Sequence, residues 1–347
     1  MSIDTRNVLE RLFDRQDLGE ANARKLLHAL GEGKVDPAMA GGLLSALRMK
    51  GETAAEIRGF ALGMRELARR PVLPAGEFVD IVGTGGDGSG SLNLSTGSAL
   101  LTAACGLPVV KHGNRSVSSK SGSADVLESL GVPMPLDERA SGEYLQRTGF
   151  TFLFAPHYHP AMKHIAPVRA ALGVRTVFNI LGPLTNPAEP AFHVIGAFSE
   201  SIAELMADSL SGLPLRRAFV VHGAHGWDEA TPVGPFICYD VRPGQVLRSV
   251  RDPLDVGIDR CSTADLGGST PAENCARLKA ALTGGDSRAH RDALALGAGL
   301  ALEVSGQVEE LGAGVERARQ AIANGQAATL LEKLAVAGQQ HAQASNP

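Results

Sequence analysis

The stretch that begins at Asp80 and ends at Gly90 reads DIVGTGGDGSG. Apolar residues precede Gly83 and predict a short strand, and five of the eight residues from Gly83 to Gly90 are glycines. Glycine accepts positive φ and lets the backbone come close to a ligand. Successive N–H groups in such a turn form a nest for an anion. The stretch therefore predicts a strand followed by a phosphate-binding loop, with a flexible turn as the alternative.

A helix is predicted directly after this loop, over residues 94–105. Ser95 and Thr96 are residues that cap helices well, and a helix N-terminus beside a glycine loop favours negative charge. The glycine spacing differs from the dinucleotide-binding fingerprint, and no Gly-Lys-Ser/Thr follows it as in a P-loop. The predicted ligand is thus a phosphate held by a different kind of loop.

Strands and helices alternate on both sides of this loop. Such alternation indicates an α/β fold with a mostly parallel sheet flanked by helices. The predicted strands cover residues 78–82, 109–111, 194–198 and 218–221, with helices over 94–105, 123–130 and 201–210. A Pro243-Gly244 turn between residues 235–241 and 246–250 predicts an added antiparallel pair.

The two ends of the chain are predicted to be helical. Near the N-terminus, Asp36 followed by Pro37 indicates an N-cap, and Thr53 with Glu56 forms a capping-box pattern. Residues 1 to about 70 therefore predict a small helical domain, with its last helix ending near residues 69–70. Residues 271–335 return to helical patterns, and residues 339–347 form a polar tail that we expect to be frayed.

Composition excludes several classes of protein. The chain has 347 residues, 41 of them glycine, and a formal net charge of −4. An acidic balance disfavours a nucleic-acid partner, and the absence of a long apolar run disfavours a membrane partner. The N-terminus has no apolar signal segment. The four cysteines form no CxxC pair and are expected to be reduced thiols, so we expect a cytoplasmic protein without structural zinc.

Three more segments carry polar side chains suited to ligand binding. Residues 111–125 combine cations and serines at the expected end of a strand, where α/β sheets bind ligands. Asp228 and Glu229 could hold Mg²⁺, although such a pair is more often a surface feature. Arg169 could meet a carboxylate bidentately, or be a surface charge. His157 and His159 flank a tyrosine, but their spacing is poor for a metal site.

These segments, in this order, resemble those of the anthranilate phosphoribosyltransferases, over residues 36 to about 335. The resemblance is densest in residues 80–88, 111–131 and 154–187. It implies a small helical domain (residues 1–73 with a crossing segment at about 163–186). It also implies a large α/β domain of the nucleoside-phosphorylase-like kind that binds phosphoribosyl pyrophosphate (residues 74–162 and 187–347). A homodimer formed through the helical domain is implied as well.

The implied reaction belongs to tryptophan biosynthesis. Phosphoribosyl pyrophosphate transfers its 5-phosphoribosyl group to the amino group of anthranilate, with Mg²⁺ as cofactor, and the products are N-(5-phosphoribosyl)anthranilate and pyrophosphate. No residue stands out as a general base, and His112 is the only candidate.

The family pattern carries over to individual residues of this chain. The positions implied for phosphoribosyl pyrophosphate are Gly83, Gly86, Asp87, Ser91, Asn93, Leu94, Ser95, Thr96, Lys111, His112, Gly113, Asn114, Arg115, Ser116, Val117, Ser118, Ser119 and Ser123. Those implied for anthranilate are Gly83, His112, Asn114, His159, Arg169 and Gly182. Those implied for Mg²⁺ are Ser95, Asp228 and Glu229.

Two alternatives stay open at this point. A pyrimidine-nucleoside phosphorylase shares the fold and a similar Lys-His-Gly stretch, but it carries an extra C-terminal domain for which this chain is about 100 residues too short. A noncatalytic nucleic-acid-binding relative would be expected to lose the loop glycines or the acidic pair and to gain basic charge, and this chain does neither.

Overall fold

The computed structural model describes residues 3–115 and 121–345. The chain opens with four helices: α1 (Thr5–Phe13), α2 (Gly19–Gly31), α3 (Pro37–Lys50) and α4 (Ala54–Glu66). The Asp36 side chain accepts from the Ala38 N–H at 2.9 Å and caps α3. Thr53 and Glu56 form the predicted capping box of α4. This helix ends at Glu66, a few residues before the predicted end.

The rest of the chain adds seven strands and eleven α-helices within the described residues. The strands are β1 (Val79–Gly83), β2 (Val109–Gly113), β3 (Phe150–Phe154), β4 (Phe192–Gly196), β5 (Arg217–His222), β6 (Phe236–Arg242) and β7 (Gln245–Arg251). The helices are α5 (Leu94–Ala104), α6 (Ser123–Ser129), α7 (Glu138–Thr148), α8 (Ala155–Tyr158), α9 (Met162–Leu172), α10 (Phe178–Leu181), α11 (Glu200–Ser211), α12 (Pro271–Leu282), α13 (Arg288–Val304), α14 (Leu311–Ala323) and α15 (Gln326–Ser345).

All seven strands form one sheet in the order β3-β2-β1-β4-β5-β6-β7. The pairs from β3 through β5 are parallel, and β6 and β7 add the predicted antiparallel pair. The order reverses between β1 and β4, because β2 and β3 lie on one side and β5 on the other. In open α/β sheets, ligands bind outside the carboxyl ends of the strands at such a switch point.

Helices cover both faces of the sheet, which confirms the predicted fold class. One face packs against α5, α6 and α12–α15, with buried residues such as Ile81 and Phe219 in the interface. The other face packs against α11, and the same apolar cluster continues into α1–α4, α9 and α10. Leu26 and Leu43 in this cluster are fully buried, which stabilises the fold by about 1.5–3 kcal/mol for each side chain.

Two sequence expectations need correction or completion. Helix α15 continues to Ser345, so residues 339–345 are helical rather than frayed. Strand β3 and helix α7 were not among the predicted elements. No helix in the described residues has both the length and the apolar character needed to cross a membrane.

Candidate active site

The glycine loop follows β1 at the switch point of the sheet, and the acidic pair lies directly against it. The Gly85 N–H donates to Asp228 Oδ2 at 2.6 Å, and the Asp228 N–H donates to Asp87 Oδ2 at 3.4 Å. Asp228 is only 8% exposed. Burial, followed by the neighbouring Asp87 carboxylate, raises the pKa of Asp228 to about 7. The buried Asp228 carboxylate is thus held close to the partly buried carboxylate of Asp87.

The N-terminus of α5 meets the second member of the pair. The Ser95 N–H donates to Glu229 Oε1 at 2.9 Å, so this carboxylate uses the positive end of the helix. Glu229 Oε2 is buried and has no hydrogen-bond partner. Burial, followed by the charge of Asp228, raises the pKa of Glu229 well above its ordinary value. An unpartnered buried carboxylate oxygen is a free ligand position for a cation.

The donor set at this point fits Mg²⁺. Carboxylate and hydroxyl oxygens are hard ligands of the kind that this ion accepts, and Ser95, Asp228 and Glu229 supply them. Within residues 3–115 and 121–345, no three His, Cys, Asp or Glu side chains are arranged as a metal site. A bound Mg²⁺ would therefore need water or substrate oxygens to complete its coordination, as is usual for this ion.

Lys111 lies in β2 with its whole side chain buried. Its ammonium group donates to the Ile81 carbonyl and to Ser95 Oγ at 3.4 Å. Burial lowers the pKa of Lys111 to about 8, against the opposing charges of Asp80, Glu229 and Asp228. A cation therefore stands beside the acidic pair at the first turn of α5.

A buried carboxylate within β1, that of Asp80, links this strand to β2 and to Asn186. The Asp80 carboxylate accepts from the His112 N–H at 3.3 Å and from Asn186 Nδ2 at 2.9 Å, and Asn186 also donates to the Val110 carbonyl. Burial raises the pKa of Asp80 to about 6. Asp80 and Asn186 were not among the predicted site residues, although both fall within sequence stretches that suggested the site.

His112, His159 and Gly182 are brought together as one hydrogen-bonded group. His112 Nδ1 lies 3.2 Å from the Gly182 carbonyl, and His112 Nε2 lies 3.1 Å from His159 Nε2. Because a carbonyl only accepts, Nδ1 of a neutral His112 carries the hydrogen and Nε2 accepts from His159. Burial lowers the pKa of His112 to about 3. This geometry does not support His112 as a general base.

Arg169 lies on α9, a different element from those that carry His112 and the acidic pair. Its guanidinium lies over the Phe178 ring, 5.6 Å from the centroid. In the described part of the chain it forms no ion pair with a carboxylate. Burial lowers the pKa of Arg169. A half-buried, unpaired guanidinium can donate two hydrogen bonds to an incoming carboxylate.

The remaining predicted residues differ in how they are placed. Leu94 and Thr96 are buried, so the Leu94 side chain belongs to the core and leaves only its backbone to a ligand. Arg115 is directed at Asp125 and Glu128, at 2.8 and 2.9 Å. Ser91 pairs with Gly267 in an isolated bridge. Ser123 begins α6, Gly86 has φ +72°, and Asn114 is exposed. Ser116, Val117, Ser118 and Ser119 lie outside the described residues.

Arg175 is a site residue that the sequence analysis missed. Its guanidinium donates to the Gly86 carbonyl and lies 4.1 Å from the centroid of the Phe198 ring. Its own carbonyl accepts from Arg48 Nη1 at 2.6 Å. Arg175 therefore joins the glycine loop to α3. No local pattern announces this contact, because its partners lie 89 and 127 residues away along the chain.

Two family models match the chain. The model described as "Glycosyl transferase family, helical bundle domain" matches residues 6–68, and "Glycosyl transferase family, a/b domain" matches residues 75–328. A protein of Desulforudis audaxviator, named anthranilate phosphoribosyltransferase, is 44% identical over 329 residues, 95% of each chain. A protein of the same name from Rhodospirillum rubrum is 44% identical and covers 96% of each chain.

Solved structures give the same result. The chain resembles anthranilate phosphoribosyltransferase from Thermus thermophilus, with a TM-score of 0.89, 43% identity, and coverage of 96% of this chain and 99% of that one. It also resembles the enzyme of that name from Saccharomyces cerevisiae, described in complex with PRPP and Mg. That match has a TM-score of 0.87, 25% identity, and coverage of 97% and 98%.

Proposed function

The chain belongs to the glycosyl transferase family of the anthranilate phosphoribosyltransferases, and from that premise we propose how it carries out this reaction. It is a Mg²⁺-dependent pentosyltransferase that moves the 5-phosphoribosyl group of phosphoribosyl pyrophosphate to anthranilate, in tryptophan biosynthesis. The observation that carries the proposal is Ser95, which contacts both the Glu229 carboxylate and the Lys111 ammonium at the end of β1.

The donor site is proposed at this switch point. Gly83–Gly90 and the α5 N-terminus supply backbone N–H groups, and Lys111 supplies a buried positive charge. Pyrophosphate is a highly charged leaving group, so donors and cations aimed at it stabilise the charge that develops as it departs. The other residues proposed for this substrate are Asp87, Ser91, Asn93, His112–Arg115, Ser116–Ser119 and Ser123.

Mg²⁺ is proposed to bind through Ser95, Asp228 and Glu229. Two observations support this assignment: Glu229 Oε2 has no hydrogen-bond partner, and burial, followed by the Asp87 carboxylate, raises the pKa of Asp228. A bound cation would take up the free oxygen and neutralise the carboxylates. When bound, the ion adds positive charge next to the pyrophosphate oxygens. Glu229 also holds the Ser95 N–H, so the chain keeps the first turn of α5 aligned with the ion site.

The acceptor site is proposed to lie where α9 and residues 178–186 meet the end of β2. Arg169 binds the anthranilate carboxylate through its unpaired guanidinium. Gly83, Asn114 and the group formed by His112, His159 and Gly182 line the ring. An aromatic amine is unprotonated and nucleophilic at neutral pH, and burial keeps the proposed histidine neighbours neutral as well.

The reaction then breaks one bond and forms one. The bond from C1 of the ribose to the pyrophosphate oxygen breaks, and the amine nitrogen bonds to C1 from the opposite face, so C1 inverts. The new bond makes the nitrogen cationic and acidic, so the nitrogen then loses a proton to solvent water. An aromatic amine needs no strong base for this step, which agrees with the low pKa of His112, about 3.

The organisation of the chain is part of the same proposal. We propose a small domain of residues 1–73 with the crossing segment 163–186, and a large domain of residues 74–162 and 187–347. The continuous apolar cluster from α1–α4 into α9 and α10 supports the crossing segment. A homodimer through the helical domain and a cytoplasmic location are also proposed.

A fluorescence assay tests the function. Purified protein is mixed with anthranilate, phosphoribosyl pyrophosphate and Mg²⁺, and the loss of anthranilate fluorescence is followed together with the release of pyrophosphate. We expect both signals to change in equal amounts. Folded protein that gives neither signal would contradict the proposal. Phosphorolysis of thymidine or uridine, or DNA binding with a steep salt dependence, would favour the alternatives, neither of which is the activity named for the relatives above.

A further inference from the structure

Asn93 occupies the N-cap position of α5, yet its side chain does not cap the helix. Asn is among the strongest capping residues, because its oxygen can accept from the N–H of the second or third helical residue. Here Asn93 Oδ1 instead accepts from Asn274 Nδ2 at 3.0 Å and from Ser121 Oγ at 3.2 Å. Asn93 Nδ2 donates to the Ser121 carbonyl at 3.2 Å. The side chain is thus turned away from the helix that it begins.

Asn274 fixes this orientation from the first turn of α12. It is 2% exposed, and its Oδ1 accepts from the Ser269 N–H at 2.7 Å. A backbone N–H only donates, so the Asn274 oxygen must face Ser269 and its nitrogen must face Asn93. At the other end, the Ser121 carbonyl only accepts. Backbone groups therefore set the direction of both side-chain amides.

The same part of the chain is also fastened to the glycine loop through the backbone. The Leu92 N–H donates to the Leu266 carbonyl at 2.9 Å, and the Gly268 N–H donates to the Gly90 carbonyl at 2.7 Å. Residues 266–269 are therefore bonded to the end of the glycine loop. Asn274 extends this network to Ser121 through the Asn93 side chain. The glycine loop and residues 111–125 are both proposed to bind the donor substrate. The buried side-chain amide of Asn274 lies in the network that joins them.

The diverted side chain matters for the anion site. The N–H that an Asn93 cap would use is that of the second or third helical residue, and the second is Ser95. In the structure the Ser95 N–H donates to Glu229 at 2.9 Å. An Asn93 oxygen turned onto α5 would compete for this donor and would occupy the space in front of the first turn.

We propose that Asn274 is a positioning residue for the donor substrate, which acts by holding Asn93 off the N-terminus of α5 and against Ser121. The identity of the anion, phosphoribosyl pyrophosphate, rests on the proposed function. Asn274 acts through Asn93 and does not touch the substrate. Without the Asn274 amide, Asn93 is released to cap α5, where its oxygen competes with Glu229 for the Ser95 N–H and covers the first turn of the helix.

The test compares Asn274→Ala and Asn274→Asp with the wild type. Binding of phosphoribosyl pyrophosphate in the presence of Mg²⁺ is measured by calorimetry without anthranilate, and KM for each substrate is measured where turnover is seen. Both variants are expected to weaken binding of phosphoribosyl pyrophosphate about tenfold and to leave KM for anthranilate within about twofold. Of the two variants, Asn274→Asp is expected to bind phosphoribosyl pyrophosphate less tightly than Asn274→Ala, because it places a carboxylate oxygen against Asn93 Oδ1.

Cys275→Ala is the matched control. Cys275 is the next residue of α12, is 5% exposed, and packs in the apolar cluster. This variant is expected to lower Tm without changing the Kd of phosphoribosyl pyrophosphate. If it weakens binding as much as Asn274→Ala does, the effect comes from loosening α12 and the proposal is overturned.

A double-mutant cycle with Asn93→Ala separates positioning from general destabilisation. Because Asn274 acts through Asn93, Asn274→Ala is expected to cause no further loss of binding in the Asn93→Ala background. Additive losses would overturn the proposal. Protein that binds phosphoribosyl pyrophosphate but does not turn over anthranilate would contradict the proposed function and leave the cycle fully readable. Wild-type protein that does not bind phosphoribosyl pyrophosphate would overturn both.

Discussion

Gly83 and Gly196 are register partners at the carboxyl ends of the adjacent strands β1 and β4, and both lie directly under Asp228. A Cβ at Gly83 would stand 2.3 Å from Asp228 Oδ2, and one at Gly196 would stand 1.4 Å from the Asp228 carbonyl oxygen. The absence of a side chain at both positions leaves the space that Asp228 occupies. The position of Asp228 therefore depends on glycine in two strands.

Gly196→Ala tests whether the close approach of Gly196 to Asp228 is needed for activity. The added methyl group overlaps a backbone oxygen, so Asp228 and Glu229 must move away from the end of β1. A displacement of about 1 Å in such a site costs about 100-fold in activity, and we expect kcat/KM to fall by this order. Overpacking of this kind also costs about 1–3 kcal/mol of stability. Steady-state kinetics and thermal unfolding measure the two effects.

Gly312→Ala is the control for that experiment. Gly312 lies inside α14, and a Cβ there would meet Val256 at an ordinary 3.8 Å. Alanine favours a helix over glycine, so activity should be unchanged and Tm equal or higher. Wild-type kinetics in Gly196→Ala would show that the close approach of Gly196 to Asp228 is not needed for activity.

Arg169→Ala is expected to raise KM for anthranilate about 10-fold to 100-fold, because a hydrogen bond between charged groups contributes about 1.5–3 kcal/mol. KM for phosphoribosyl pyrophosphate should change little. The exposed Lys163 lies on the same helix, and Lys163→Ala provides the control for loss of a positive charge. Equal increases in both KM values in Arg169→Ala would remove the carboxylate role.

Glu229→Gln is expected to increase the Mg²⁺ concentration needed for half-maximal activity by about tenfold or more. Burial raises the pKa of Glu229 well above its ordinary value, because it makes the charged carboxylate unfavourable. The glutamine amide carries no charge and avoids this penalty, so Tm should not fall. Chelation of Mg²⁺ should abolish turnover in both proteins, and added Mg²⁺ should restore it. The exposed Glu332→Gln serves as the control; an unchanged Mg²⁺ requirement in Glu229→Gln would argue against this ligand.

His193 gives a prediction for stability against pH. Burial, followed by the charge of Arg65, lowers the pKa of this fully buried imidazole to about 3. Above the unfolded value of about 6.5 the ring is neutral in both states. Below it the unfolded chain takes up the proton and the folded protein does not, so the free energy of unfolding falls by about 1.4 kcal/mol per pH unit until the folded pKa is reached.

His193→Leu removes this effect of acid. The Tm of the variant is expected to fall less than that of the wild type between pH 7 and pH 5, as measured by calorimetry at several pH values. Asp80 and Asp228, whose raised pKa values act in the opposite direction, are present in both proteins and cancel in the comparison. The exposed His164→Leu should behave like the wild type. Parallel Tm curves for wild type and His193→Leu would refute the assignment.

Local signals in the sequence account for much of the fold. Asp36 with Pro37 and Thr53 with Glu56 begin their helices as predicted, because a cap is a contact between neighbours in the chain. Phe150–Phe154 was missed as a strand. It is almost wholly apolar and buried, so it lacks the alternation that marks a half-exposed strand.

The site was predictable where its parts lie in glycine or charge-rich stretches, as for Gly83–Gly90, Lys111 and the acidic pair. The partners that hold those parts were not. Asn274 is 181 residues from Asn93, and Gly196 supports Asp228 only because the sheet brings β4 next to β1. Such contacts depend on how distant helices and strands pack together, which no short stretch of sequence encodes.

Helix α9 and the turn after it carry two guanidinium groups with different tasks. Arg169 faces the proposed acceptor site, and Arg175, six residues later, holds the Gly86 carbonyl of the donor loop. A ligand that shifts the Arg169 end of this segment also shifts the Arg175 end, and so changes the affinity of the other site. Thermodynamic linkage then requires reciprocity: by whatever factor anthranilate changes the affinity for phosphoribosyl pyrophosphate, the latter changes the affinity for anthranilate by the same factor.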